Sequence, residues 1–302
     1  MANPIGINTW VWSSPPTDAL MAEVAPKAKE MGFDLLELPV ENAGDWDPKR
    51  TGDLLASLGL RASLCAAMAP GRDLTNPATV EATQGYLRWC IDALAACGGG
   101  AVAGPLYTPV GDTPMWSAAE RAAALGRLVE NLKPLADYAG EKDVVLAVEP
   151  LNRFETSVLN TAEQTMEVVE RVGHPALGVL LDSFHMNIEE KDQAAAIRLV
   201  GSKLAHFHAC GNDRGAPGQD HIAWEGIRDA LREVGYGGAL VIESFTPGNA
   251  SIAKAAAIWR PLAETQDDLA RDGLAFLHEQ GFGATPAAAR SDRAGGGGRK
   301  AG

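Results

Sequence analysis

Short apolar runs of strand length alternate along the chain with stretches whose apolar residues recur every three or four positions. Residues 5–12 (Ile-Gly-Ile-Asn-Thr-Trp-Val-Trp) are rich in β-formers, and Thr17 is placed to cap a helix running to Met31. Residues 33–40 predict a second strand, 51–58 a short helix and 61–68 a third strand. Asn76-Pro77 reads as an N-cap with proline in the first turn, opening a helix that runs to Cys97 and is stopped by Gly98-Gly-Gly100. Residues 101–107 predict strand four, and Ser117-Ala-Ala-Glu120 is a capping box for a helix ending near Gly140. The second half repeats the theme with strands over 144–149, 177–182, 204–208 and 238–243. Helices over 161–173 (capping box Thr161-Ala-Glu-Gln164), 192–199 and 224–234 separate them, and a helical region over 250–280 closes the chain.

Eight strands alternating with eight helical segments imply a parallel sheet covered by helices, and eight such units imply closure into an α/β (β/α)8, or TIM, barrel. An open doubly wound sheet is the rival, but no Gly-x-Gly-x-x-Gly follows the first strand, where that fold binds phosphate. One catalytic domain is expected over 1–283, followed by a flexible Ala-, Gly- and Arg-rich tail over 284–302.

Composition narrows the function without naming it. The chain is 46% hydrophobic and 22% charged, as ordinary globular proteins are, and its net charge of −13 disfavours nucleic acid or an anionic membrane as partner. No run of about 18 apolar residues occurs, the N-terminus lacks a signal-peptide pattern, and Cys65, Cys90, Cys97 and Cys210 form no C-x-x-C pair. A cytoplasmic location with reduced thiols is expected.

Chemistry concentrates at strand ends. Glu149, Asp182, His208 and Glu243 each close an apolar run, spaced 33, 26 and 35 residues apart (149 to 182 to 208 to 243), about one βα unit each. Any one of them alone could be a polar strand end accepting a loop hydrogen bond. On four successive strands of a closed parallel barrel they instead converge on the face where barrel active sites lie. Three carboxylates and an imidazole suit a hard or borderline dication, Mn²⁺, Mg²⁺ or Co²⁺, better than structural zinc. Such an ion polarises a hydroxy-ketone and stabilises the enediolate left by deprotonation, while two glutamates on opposite sides of one carbon can invert it.

The motifs Val148-Glu-Pro-Leu-Asn-Arg-Phe-Glu155, Leu181-Asp-Ser-Phe-His-Met-Asn187, His206-Phe-His-Ala-Cys-Gly-Asn-Asp-Arg-Gly-Ala-Pro-Gly218 and Val241-Ile-Glu-Ser-Phe245 resemble those of the ketose 3-epimerases (D-tagatose, D-psicose or allulose, and L-ribulose 3-epimerases) of the xylose-isomerase-like barrel superfamily. The resemblance covers the second half of the barrel; the first half is similar in layout. It implies one divalent ion per subunit, most simply Mn²⁺, on Glu149, Asp182, His208 and Glu243, with Glu149 and Glu243 as the proton-transfer pair. It implies a free ketose as substrate, contacts to it from Glu155, His185 and Arg214, and a homodimer or homotetramer. Glu155 could equally pair with Arg153 or Arg214, and His206, on the same strand face as His208 but deeper, reads as a supporting histidine. Cys65, Tyr107 and Trp116, at other strand ends or loops, could form apolar walls for the sugar, although aromatics in such places more often serve packing. Gly211 departs from the pattern, since many relatives carry an acidic residue there. An aldose–ketose isomerase or an inosose-type dehydratase could reuse the same ligands.

Overall fold

Each apolar run needs both its faces covered, and the chain meets that need with a closed ring of parallel strands wrapped in helices. The computed structural model describes residues 3–283; the tail expected over 284–302 lies outside them. In chain order the elements are β1 (Ile5–Asn8), α1 (Asp18–Met31), β2 (Leu35–Val40), α2 (Pro48–Leu58), β3 (Arg61–Ala66), α3 (Val80–Ala96), β4 (Gly100–Gly104), α4 (Ala118–Glu141) and β5 (Val144–Val148). There follow α5 (Ala162–Val172), β6 (Leu177–Asp182), α6 (Ser183–Glu189), α7 (Gln193–Val200), β7 (Leu204–Ala209), α8 (Trp224–Glu233), β8 (Leu240–Ile242), α9 (Ala250–Ala255) and α10 (Gln266–Glu279). The strands close in sequence order, and β1 bonds to both β2 and β8, which makes the single-domain (β/α)8 barrel that the alternation predicts.

The caps read from sequence hold at Thr17, whose side chain accepts from Leu20 N, at Thr161, which accepts from Gln164 N, and in the reciprocal Ser117–Glu120 capping box. Other boundaries move for local reasons. The first strand stops at Asn8, because its side chain accepts from Trp10 N and turns residues 9–11 into a 3-10 helix. Asn76 holds a turn rather than a cap: its side chain accepts from Ala78 N and its carbonyl from Thr79 N, so α3 starts at Val80. The closing helical region is two helices, α9 and α10.

Side chains two apart share a face, so the strands sort their residues by parity. Leu36, Leu64, Val102, Leu146, Val148, Leu181 and Phe207 join the large core between sheet and helices. The alternate residues face the barrel axis in layers. Ala103, Ala147 and Leu180 pack together inside, with Glu37 opposite Ser63 in register at the middle and Asp182 opposite His208 at the C-terminal end. Small inward residues such as Ala101, Gly178 and Ala239 line a cavity of about 820 Å³ on the N-terminal face, away from the strand-end carboxylates.

Candidate active site

The parity that turns Val148 outward turns Glu149 inward, and its backbone is fixed from two sides. Glu149 N donates to Gly104 O at 3.0 Å, and the buried Tyr107 hydroxyl donates to Glu149 O at 3.0 Å. Gly104 has φ 123, and a Cβ there would lie 3.0 Å from Ala66 O on β3, so the position that offers this carbonyl to Glu149 requires glycine. Ligand atoms of Glu149, Asp182 and His208 all lie within 4.8 Å of one another, and all three residues are buried. Glu243 enters from the end of β8, with Oε2 3.5 Å from His208 Nδ1. Arg214 Nη1 donates to Asp182 Oδ2 at 2.7 Å and to Glu243 Oε2 at 2.9 Å, so one guanidinium nitrogen links the two carboxylates.

The same burial acts differently on each acid. Burial, and then the Glu243 charge, hold the Glu149 carboxyl well above the ordinary carboxylate range. Asp182 is pushed up to about 6 by burial, with Arg214 opposing. At Glu243 burial again works upward, but His208 and Arg214 outweigh it and leave this carboxyl below its ordinary value. The two glutamates therefore differ in their hold on a proton although both are buried. His185 is kept neutral by burial and by the neighbouring Arg214 and His208.

His185 sits on α6, a short helix that the sequence reading did not anticipate. The Asp182 side chain starts it by accepting from Phe184 N at 2.8 Å. His185 Nδ1 accepts from Asn152 N at 3.0 Å, which turns Nε2 toward Arg214 Nη2 at 3.0 Å and Glu149 Oε1 at 3.6 Å. Glu155 is held by Asn152 Nδ2 at 2.8 Å and stands 4.0 Å from Arg214, while Arg153 pairs instead with Glu189 at 2.9 Å. Cys65 lies beside Glu243, Sγ to Oε1 4.0 Å, within an apolar patch shared with Trp10, Phe245 and Ile258. Tyr107 supports Glu149 from behind, its hydroxyl engaged by the carbonyls of Glu149 and Leu159. Trp116 packs half-buried against the main core just before α4. At Gly211 a Cβ would come within 3.1 Å of the carbonyl oxygens of Gly215 and Ala216, so this tight loop leaves little room for a larger side chain.

The sequence reading missed Glu37, Asn152, Trp10 and Phe245. Glu37 left a signal, a lone charge inside the apolar run Leu35-Leu-Glu-Leu38. Asn152, Trp10 and Phe245 left none, since their roles depend on which loops meet.

The donor set fits a hard or borderline dication. It consists of carboxylate oxygens and an imidazole nitrogen without thiolate, and three atoms of these residues, Glu149 Oε1 and both ring nitrogens of His208, are buried without a hydrogen-bond partner. Fold and site together define a (β/α)8 barrel with a metal-binding type of centre at the C-terminal ends of its strands. The family model described as xylose isomerase-like TIM barrel matches residues 25–280. The probable ketose 3-epimerase of Synechocystis sp. is 35% identical over 278 residues, 91% of this chain and 95% of the relative. The ketose 3-epimerase of Arthrobacter globiformis is 30% identical over 280 residues, 91% and 96% of the two chains. A crystal structure of D-allulose 3-epimerase from Methylomonas sp. matches with a TM-score of 0.86 and 30% identity, covering 92% of this chain and 98% of that one. The chain belongs to the xylose isomerase-like TIM barrel family, in its ketose 3-epimerase branch, and is an isomerase.

Proposed function

We propose that the protein inverts C3 of a free ketose of the D-tagatose, D-fructose, D-psicose or L-ribulose class, with Glu149 and Glu243 as the two acid/base groups. The observation that carries this reading is the arrival of two buried glutamates, from β5 and β8, around one imidazole and one aspartate. One glutamate removes the C3 proton from one face of the sugar and the other returns a proton to the opposite face, so the centre inverts through an enediolate. His185 and Arg214 donate to the sugar O1 and O2 and meet the negative charge that develops there, while Glu155 accepts from a hydroxyl. Trp10, Cys65 and Phe245 form the apolar wall along the chain of carbons. Glu149, Asp182, His208 and Glu243 would hold the ion, Mn²⁺ before Mg²⁺ or Co²⁺, and a dication there would supply Lewis-acid polarisation of the carbonyl.

Incubation of the Mn²⁺-loaded protein with a panel of ketoses in D₂O tests this. Solvent deuterium at C3 of substrate and epimer is the expected result. Deuterium at C1 or C2 would instead assign an aldose–ketose isomerase, and net loss of water a dehydratase.

The protein is further read as a cytoplasmic homodimer or homotetramer. Its four cysteines are unpaired, which suits a reducing compartment, and no helix among the described residues is long and apolar enough to cross a membrane. Met115 and Phe154, 100% and 75% exposed, lie on adjoining rim loops joined by Gly111 N to Glu155 O at 2.7 Å, an apolar pair that a partner subunit would cover.

A further inference from the structure

We propose that Glu37 is the positioning residue of the metal centre: its carboxylate holds the His208 ring from behind through Nε2, so that Nδ1 faces the point shared by Glu149, Asp182 and Glu243. The inference rests on the metal-site reading above and adds to it a fifth residue that touches neither ion nor sugar.

Glu37 is fully buried one layer below the ligands, and register alone surrounds it, with Asn8 paired on β1 and Ser63 on β3. Four side chains converge on its two oxygens. Oε1 accepts from Ser63 Oγ at 2.8 Å and lies 2.7 Å from His206 Nε2. Oε2 accepts from Asn8 Nδ2 at 2.9 Å and lies 2.9 Å from His208 Nε2, which approaches obliquely to the ring N–H. A carboxylate that served His206 alone would need one oxygen. Here the second oxygen is held against His208, and the far side of that ring, Nδ1, stands 3.5 Å from Glu243 Oε2. An imidazole that ligates through one nitrogen gains orientation and basicity when a carboxylate accepts from the other. A buried carboxylate is costly unless such partners use it. His206 takes the remaining side of Glu37 and so fixes the carboxylate that fixes His208.

The test compares Mn²⁺ binding by calorimetry in the full-length wild type, Glu37→Gln and Asp182→Asn, each stripped and reloaded. Glu37→Gln is expected to bind Mn²⁺ roughly 10- to 100-fold more weakly. Should that variant fail to fold, the ¹⁵N-histidine spectrum of Mg²⁺-loaded wild type decides the matter. The expected signature is His208 protonated at Nε2, with that proton shifted downfield by its carboxylate partner, and unprotonated at Nδ1. Wild-type affinity in a folded Glu37→Gln, or a His208 ring unprotonated at Nε2, overturns the proposal. If Asp182→Asn weakens Mn²⁺ binding and Glu37→Gln does not, Glu37 alone loses its role. If neither does, the metal-site reading fails, and the proposal with it.

Discussion

Arg214 Nη1 donates to Asp182 Oδ2 at 2.7 Å, inside the group of oxygens proposed to hold a dication. The same nitrogen reaches Glu243 Oε2 at 2.9 Å, and Arg214 carries a left-handed φ of 71 on the loop after β7. That backbone conformation is costly for a residue with a Cβ, and the residue that adopts it is the one whose guanidinium lies between the two carboxylates. A guanidinium and a dication compete for the same two carboxylates by simple Coulomb repulsion.

Arg214→Gln is therefore expected to bind Mn²⁺ about three- to tenfold more tightly than wild type, because a positive charge next to the ligands is gone. The same substitution removes a sugar-oxygen donor, so the ketose KM rises about tenfold. The metal-free variant should also melt earlier, since Asp182 and Glu243 lose their counter-charge. Calorimetry, initial rates and melting curves read the three effects separately; weaker Mn²⁺ binding in the variant would contradict the competition argument.

Glu149→Gln and Glu243→Gln each keep the size of the side chain and remove its ability to take a proton. A proton-transfer role predicts a fall in kcat of about 10²- to 10⁴-fold for each. Exchange of the C3 proton with solvent gives a finer reading, because a variant that keeps one base can still exchange from one face without producing epimer. Both variants showing wild-type turnover would remove the two-base mechanism.

The exposed side chains Met115 and Phe154 predict the consequence of adding charge at the rim. Phe154→Asp should shift the protein toward monomer in sedimentation velocity. An unchanged sedimentation coefficient would place the subunit interface elsewhere.

How much of this was legible in the sequence depends on whether the signal is local. The barrel follows from alternation, and Thr17, Ser117 and Thr161 mark helix starts because capping is a property of four consecutive residues. Asn76 carried the same kind of signal and misled, since an Asx turn uses the same side-chain oxygen as an N-cap. The strand-end residues Glu149, Asp182 and His208 come together because each closes a parallel strand, and in a closed parallel barrel those ends open on one face. Helix α6 was illegible because its start is the Asp182 side chain itself, a residue already assigned to a strand end. Tyr107 was expected as a pocket wall, and only the fold shows its hydroxyl reaching back to the carbonyl of Glu149. Glu37 was visible as a charge in an apolar strand, but its partners His206 and His208 are far away in the chain and adjacent only through the barrel interior.

Away from the site, Asp267 ties the last helix to the first, and its charge gives a pH-dependent share of stability. Its Oδ1 accepts from Trp12 Nε1 at 2.7 Å and from Lys27 Nζ at 3.2 Å. Burial works to raise the Asp267 pKa, but these two donors outweigh it and leave the carboxyl below its ordinary value. A carboxyl whose folded pKa lies below its unfolded one adds stability above the unfolded value, about 4, and loses it as pH falls through the folded value. With the side chain 32% exposed, water screens the pair, and the contribution is under about 1 kcal/mol. Asp267→Asn keeps an acceptor for Trp12 and removes only the charge. Its melting temperature should therefore lie about 1–2 °C below wild type at pH 6–7, with the gap closing below pH 4. A gap that stays constant from pH 7 to pH 3 would assign the loss to packing instead of to the ionised carboxylate.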